Sequence, residues 1–249
     1  MDYPPNITDE RIKTMKQILV DYLNIWQNYR KDYLTKSERE QRRTLLAEWV
    51  KKQYADGSLT IFELHKFWNN NKEICYNRFF IEKVIVPAVH DDIDKGEIEG
   101  LKFLFYCEQI RNKDKNEYRT DDVPINVFCE KYGYCQSQLV DMIYNMEPDN
   151  EEILQLKYYY DGLYLSYSIH EIPLGVFKDY MNDATLSDIP EMLGKVDVFQ
   201  TICSKLGMLE KDKTLIDDCR KYYTAYAKYL QNQNQFIDFE DYMNKNNVL

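Results

Sequence analysis

Residues Asp149–Glu171 read DNEEILQLKYYYDGLYLSYSIHE, the densest apolar and aromatic run in the chain, with polar, charge-bearing segments on both sides. Two periodicities compete in it. At steps of three and four, Ile153, Leu156, Tyr160, Leu163 and Tyr167 form one continuous helical face. At steps of two, Leu154, Leu156, Tyr158 and Tyr160 alternate with Gln155, Lys157 and Tyr159. Asp161-Gly162 then leads into a second alternation of Leu163, Leu165, Tyr167 and Ile169, and Asp-Gly between alternating runs is a strong hairpin signal. The helix is the better reading. Asp149 followed by Glu152 has capping-box spacing, in which each side chain satisfies a backbone N–H left open by the first turn. A lone hairpin is marginal in water, and the rest of the chain offers few strands to cover it. Gly162 is the weak point of the helix.

The 249 residues are enough for a full core, and 44% hydrophobic with 30% charged residues describes a globular chain rather than a disordered one. Only 8 Gly and 7 Pro leave little material for the tight turns of an all-β fold. No window approaches the ~18–20 apolar residues of a membrane span. The N-terminal MDYPPNITDE lacks a basic region followed by an apolar core, so the expected location is cytoplasmic. The six cysteines (75, 107, 129, 135, 203, 219) include no CxxC pair and read as reduced, mostly buried thiols.

The net charge of −10 is unevenly spread. Residues 1–120 hold 21 Lys+Arg against 20 Asp+Glu, whereas 121–249 hold 11 against 22 and carry 14 of the 22 tyrosines. Such a surface repels nucleic-acid phosphate and attracts basic partners.

In chain order, Thr8 opens a long helix with Ile12, Met15, Leu19, Tyr22, Trp26, Tyr29 and Tyr33 on one seam. Ser37 and Glu40 have capping-box spacing for a second helix reaching Tyr54, with Leu45, Leu46, Trp49 and Val50 inside and Gly57 as terminator. Thr60 and Glu63 cap a third carrying Leu64, Phe67 and Trp68. A fourth, Lys72–Val86, breaks or restarts at Pro87, and Glu97–Ile110 is the fifth. After the polar link 112–122 come Val123–Tyr132, Ser137–Met146, the quoted helix, Pro173–Asn182, Ser187–Gly194, Asp197–Leu206, Thr214–Gln231 and Phe236–Asn246. The expected fold is all-α, about eleven to twelve helices packed as pairs in a compact or solenoid-like array, with lobes 1–111 and 123–249.

Several chemistries lack their signatures: there is no GxxxxGK[ST], GxGxxG, HExxH, GxSxG or Glu-x-x-His. Residues 123–146 have helix-turn-helix spacing, with Gly133 at the turn, Cys129 at the small position, and Leu139 and Met142 facing inward. The second helix carries Gln136, Ser137, Gln138 and Asp141 but no Lys or Arg, which excludes phosphate-guided DNA reading through it. Asp56-Gly57-Ser58-Leu59-Thr60 with Glu63 matches half an EF-hand loop, and Lys52 and Tyr54 stand where oxygen ligands belong. His90-Asp91, in VHDDIDKGE, with His65 twenty-five residues earlier, resembles part of the HD phosphohydrolase pattern. That resemblance, about thirty residues long, implies metal-assisted phosphoester hydrolysis on a helical fold.

Tyrosine gives large contact area at low entropic cost, and carboxylates beside it suit a partner rich in Lys or Arg. The expected function is therefore a protein-binding module of the immunity-protein or inhibitor type, without catalysis, cofactor or metal, engaging a basic protein. Tyr158, Tyr159, Tyr164, Asp217, Asp218 and Tyr223 are the expected contacts. A hydrolase using His65, His90 and Asp91, and a helical repeat scaffold, are the alternatives.

Overall fold

The computed structural model describes residues 17–29, 34–55, 59–70, 78–113, 123–177 and 183–248. These are all-α: helices packed on helices, with no strand among the described residues. The helices are α1 Gln17–Asn28, α2 Lys36–Ala55, α3 Ile61–Asn70, α4 Val86–Asp94, α5 Glu99–Lys113 and α6 Pro124–Tyr132. They continue with α7 Gln136–Met146, α8 Glu151–Ser168, α9 Ile189–Lys205, α10 Leu209–Gln231 and α11 Phe239–Asn246. The chain forms two compact units, 1–136 and 137–249.

In the first unit α1 packs on α2, α3 on α4 and α5, and α6 on α4 and α5. Tyr22 lies 5.1 Å from Trp49 and 4.4 Å from Phe80 between ring centroids, which ties α1, α2 and the entry to α4 into one aromatic cluster. The Thr60 box forms as expected: Thr60 N–H and Oγ1 donate to Glu63 Oε2 at 2.9 and 3.1 Å, and Glu63 N–H donates back to Thr60 Oγ1 at 3.3 Å. The box expected at Ser37 and Glu40 forms two residues earlier, where Thr35 and Glu38 make the same reciprocal bonds at 2.8 and 3.2 Å. Leu45, expected inside, is exposed, because the buried side of α2 runs through Leu46 and Trp49. Ile12, Met15, Tyr33 and Gly57 lie outside the described residues.

The fourth helix restarts at Pro87, as expected, without a gap. A π-helical turn, Ile81–Ile85, ends with the Val86 N–H donating to Ile81 O, and Pro87 falls in the first turn of α4, where a missing donor costs little. α5 approaches α4 closely at Gly100, where a Cβ would stand 3.1 Å from the Val89 Cα. Gly133 closes α6 at φ 74°, its N–H donating to Cys129 O.

The second unit is built on α9 and α10, with α8 packed on both and α11 on α10. Ser187–Gly194 and Asp197–Leu206 are one helix, α9. Met192, Val196, Phe199, Ile202 and Cys203 bury its inner side, and this burial outweighs the roughly 1 kcal/mol that Gly194 costs in a helix. No helix begins at Pro173: residues 169–174 turn, and Phe177, at φ 58°, donates its N–H to Ser168 O, folding the chain back on the end of α8. Residues 178–182 lie outside the described residues. The core gathers Leu165, Val196, Phe199, Cys219, Tyr223, Tyr226, Phe239 and Met243.

Candidate binding surface

The stretch 149–171 is a helix, and its cap is Asn150 rather than Asp149. The Asn150 Oδ1 accepts from the Glu152 and Ile153 N–H groups at 3.1 and 3.4 Å, while Asp149 pairs with Lys205 at 2.7 Å. The larger difference is rotational. The face expected to be buried points to solvent from its middle onward, since Leu163 is 52% and Tyr167 41% exposed. The buried side runs instead through Ile153, Leu154, Lys157, Asp161, Leu165 and Ser168.

That buried side is polar at its centre. Lys157 Nζ donates to Asp161 Oδ1 at 2.5 Å and lies 2.7 Å from Asp141 Oδ1 on α7. Burial opposes the lysine's charge, but the two carboxylates outweigh it and hold Lys157 above its ordinary value. Burial pushes the Asp161 carboxyl up despite Lys157, and its Oδ2 has no hydrogen-bond partner. One turn further on, Ser168 Oγ donates to Leu165 O at 2.7 Å and meets the Tyr223 hydroxyl, which also bonds Cys219. The four-residue spacing of Lys157 and Asp161 was the available sequence signal for this ion pair.

The expected partner contacts divide between surface and core. Tyr159 is 58% exposed and Asp217 is exposed. Asp217 stands one helical turn from Lys213 and one from Lys221, which dilutes its field. Asp218 is half-buried. Tyr158 turns inward: its ring stacks on Phe199 at 5.5 Å, its hydroxyl donates to Asp212 Oδ2 at 2.7 Å, and Lys211 donates to it at 3.0 Å. Tyr164 is half-buried against Phe177 and under Lys195, and burial, with Glu191 and Asp188, pushes its hydroxyl up to about 12. Tyr223 is 0% exposed and belongs to the core, because α10 buries Ile216, Cys219, Tyr223 and Tyr226 while Tyr222 lies at the margin. It is not a surface residue.

Unit 137–249 holds 10 Lys+Arg against 19 Asp+Glu. Six of those basic groups are engaged within the unit: Lys157, Lys195, Lys205, Arg220 and Lys245 by carboxylates and Lys211 by Tyr158. The acidic surplus is thus left facing outward, with Glu151 and Glu152 at the start of α8 both exposed. Above them on the outer face of α8 stand Leu156, Tyr159, Tyr160, Leu163 and Tyr167 at helical spacing.

The histidines do not converge. The His90 ring lies 4.2 Å from Tyr132 with Nδ1 3.1 Å from Asp94, whereas His65 packs against Phe103 and Tyr106 at 5.7 and 4.5 Å. No group of three or more His, Cys, Asp or Glu side chains able to hold a metal exists among the described residues. Cys107, Cys203 and Cys219 are buried free thiols, Cys129 is half-buried and Cys135 exposed. No helix among the described residues is long and apolar enough to cross a membrane. Comparison with family models, curated proteins and solved structures finds no match to the chain.

Proposed function

We propose that the chain is a cytoplasmic, non-catalytic protein-binding module whose acidic second unit engages a basic protein, in the manner of an immunity protein or inhibitor. The observation that carries this reading is the outer face of α8. A helix whose own core side holds an ion pair presents Tyr159, Leu163 and Tyr167 to solvent in one stripe, with Glu151 and Glu152 at one end. A row of exposed aromatic and aliphatic side chains at helical spacing fits an amphipathic surface, and the acidic surroundings select a partner with Lys and Arg at its rim. The excess of 19 acidic over 10 basic residues in this unit disfavours nucleic acid.

The test is capture from host extract with the full chain, identification of the bound protein, and measurement of its affinity for wild type and for Tyr159→Ser/Leu163→Ser. The reading expects a partner of pI above about 9. It also expects affinity that weakens with salt and falls at least about thirtyfold in the double variant. A neutral or acidic partner, or one that binds the variant equally well, overturns it.

A further inference from the structure

Beside the turn that follows α8, the end of α10 and the start of α11 enclose a cavity of about 270 Å³. Its aromatic wall is Tyr226, Tyr229 and Phe239, with Tyr226 and Tyr229 ring centroids 4.9 and 5.5 Å from Phe239. Its charged groups are Asp183, Asp238 and Glu240, and no Lys or Arg is among the described residues that line it. The Asp238 Oδ1 accepts from the Asp241 N–H at 2.8 Å, capping α11, which fixes that carboxylate in place. Glu240 is exposed and makes no hydrogen bond or ion pair among the described residues. Burial, with the Asp183 charge next in weight, pushes the Tyr226 hydroxyl up to about 12.

We propose that this cavity binds the head of an organic cation, a guanidinium or alkylammonium group, with its alkyl stem on the aromatic wall. Tyr226, Tyr229 and Phe239 are 4%, 7% and 1% exposed, so their ring rims, with the exposed Leu174, give the stem its apolar contact, and the carboxylates supply the counter-charge. The volume lies just under the ~300–1,000 Å³ of drug-sized sites, which suits one side chain or one small amine. The acids do not converge into a metal-holding group among the described residues, so a delocalised cation matches their spread better than a compact ion. Under the function proposed above, the cation is an Arg or Lys side chain of the basic partner. A free alkylamine has the same chemistry.

The test uses the full chain and calorimetric titration with three probes: n-butylguanidinium, N-acetyl-arginine methylamide, and n-butylurea as the neutral isostere. Both cations should bind, and butylurea should bind at least about tenfold more weakly. Glu240→Gln and Asp238→Asn, which retains a capping side chain, should each weaken the cations about three- to tenfold, with thermal midpoint unchanged. Glu210→Gln, exposed at the far end of α10 and outside the cavity, should leave them unchanged. Preference for the capped arginine identifies a side chain as the natural source, and preference for butylguanidinium identifies a free amine. Equal binding of cation and urea, no binding of either cation, or indifference to both cavity variants overturns the proposal. Loss of this binding with protein capture intact would remove the cavity and leave the α8 surface standing.

Discussion

Asp161 holds the Lys157 ammonium at 2.5 Å through Oδ1 and leaves Oδ2 unpartnered in the core of the second unit. Removing one member of such a pair strands a charge that burial already disfavours. Lys157→Met should therefore cost about 3–5 kcal/mol in urea unfolding. Lys157→Met with Asp161→Leu should return to within about 1 kcal/mol of wild type, because a buried ion pair is replaceable by apolar volume. A double variant as unstable as the single one would show that the pair does more than offset its own desolvation.

Stability should fall on the alkaline side. Lys157 is held above its ordinary 10.5, so its contribution is complete below that value and is lost as pH rises through the folded value. Tyr164 and Tyr226 act in the same direction: the unfolded chain releases these protons near 10.0, the folded one near about 12. Unfolding then releases protons between those values, and stability declines as pH climbs across the window. The buried thiols begin the decline, since burial raises Cys203 and Cys219 from 9.0 to about 11, so urea midpoints should be flat up to about pH 8 and fall progressively above it. Tyr226→Phe should make the decline shallower.

The two faces of α8 should respond oppositely to substitution. Leu163→Ser, at 52% exposure, should change stability by less than about 0.5 kcal/mol. Ser168→Ala, on the inner face, deletes the hydroxyl that bonds Leu165 O and meets Tyr223, and should cost about 1–2 kcal/mol. Chemical denaturation of both variants decides which side of the helix is inside.

Gly162→Ala should stabilise. A Cβ there would meet the Phe199 ring at 3.5 and 3.6 Å, ordinary van der Waals contact, in the interior of a helix. The gain should be about 0.5–1 kcal/mol, read as a raised thermal midpoint.

Cap assignments can be separated by alanine. Thr35→Ala and Thr60→Ala should each cost about 1 kcal/mol, whereas Ser37→Ala, inside α2, should be close to neutral. Helicity and denaturation midpoint report both.

Features set by neighbours in the chain were legible in the sequence. The Thr60–Glu63 box, the left-handed Gly133 and the helical state of 149–171 all follow from local spacing and local sterics. The rotation of a helix about its own axis was not legible. On α8 both sides offer Leu and Tyr, and the choice depends on Asp141 from α7 and Tyr223 from α10, far away in sequence. On α10 the same difficulty makes Tyr223 read as a surface contact, whereas the buried side of the helix runs through it, one residue and about 100° from the half-buried Tyr222. The candidate surface was correspondingly half visible. Tyr159 and Asp217 are recognisable from the sequence as surface residues, but Leu163 and Tyr167 read as interior, because apolar periodicity alone marks a stripe without saying which way it faces.

A helix with two stripes that could each be buried has two competing ways to dock, related by a roll about its axis. Apolar burial alone would favour the roll that hides Leu156, Tyr160, Leu163 and Tyr167. That roll would carry Lys157 away from Asp141, on another helix, and draw Ser168 off Tyr223. The polar line therefore works as a key that admits one orientation, a use of buried charge better attested than any net stabilisation. What it leaves outside is the stickier stripe. An excised α8 peptide would have neither Asp141 nor Tyr223 and should self-associate through the very side that the intact chain turns to solvent.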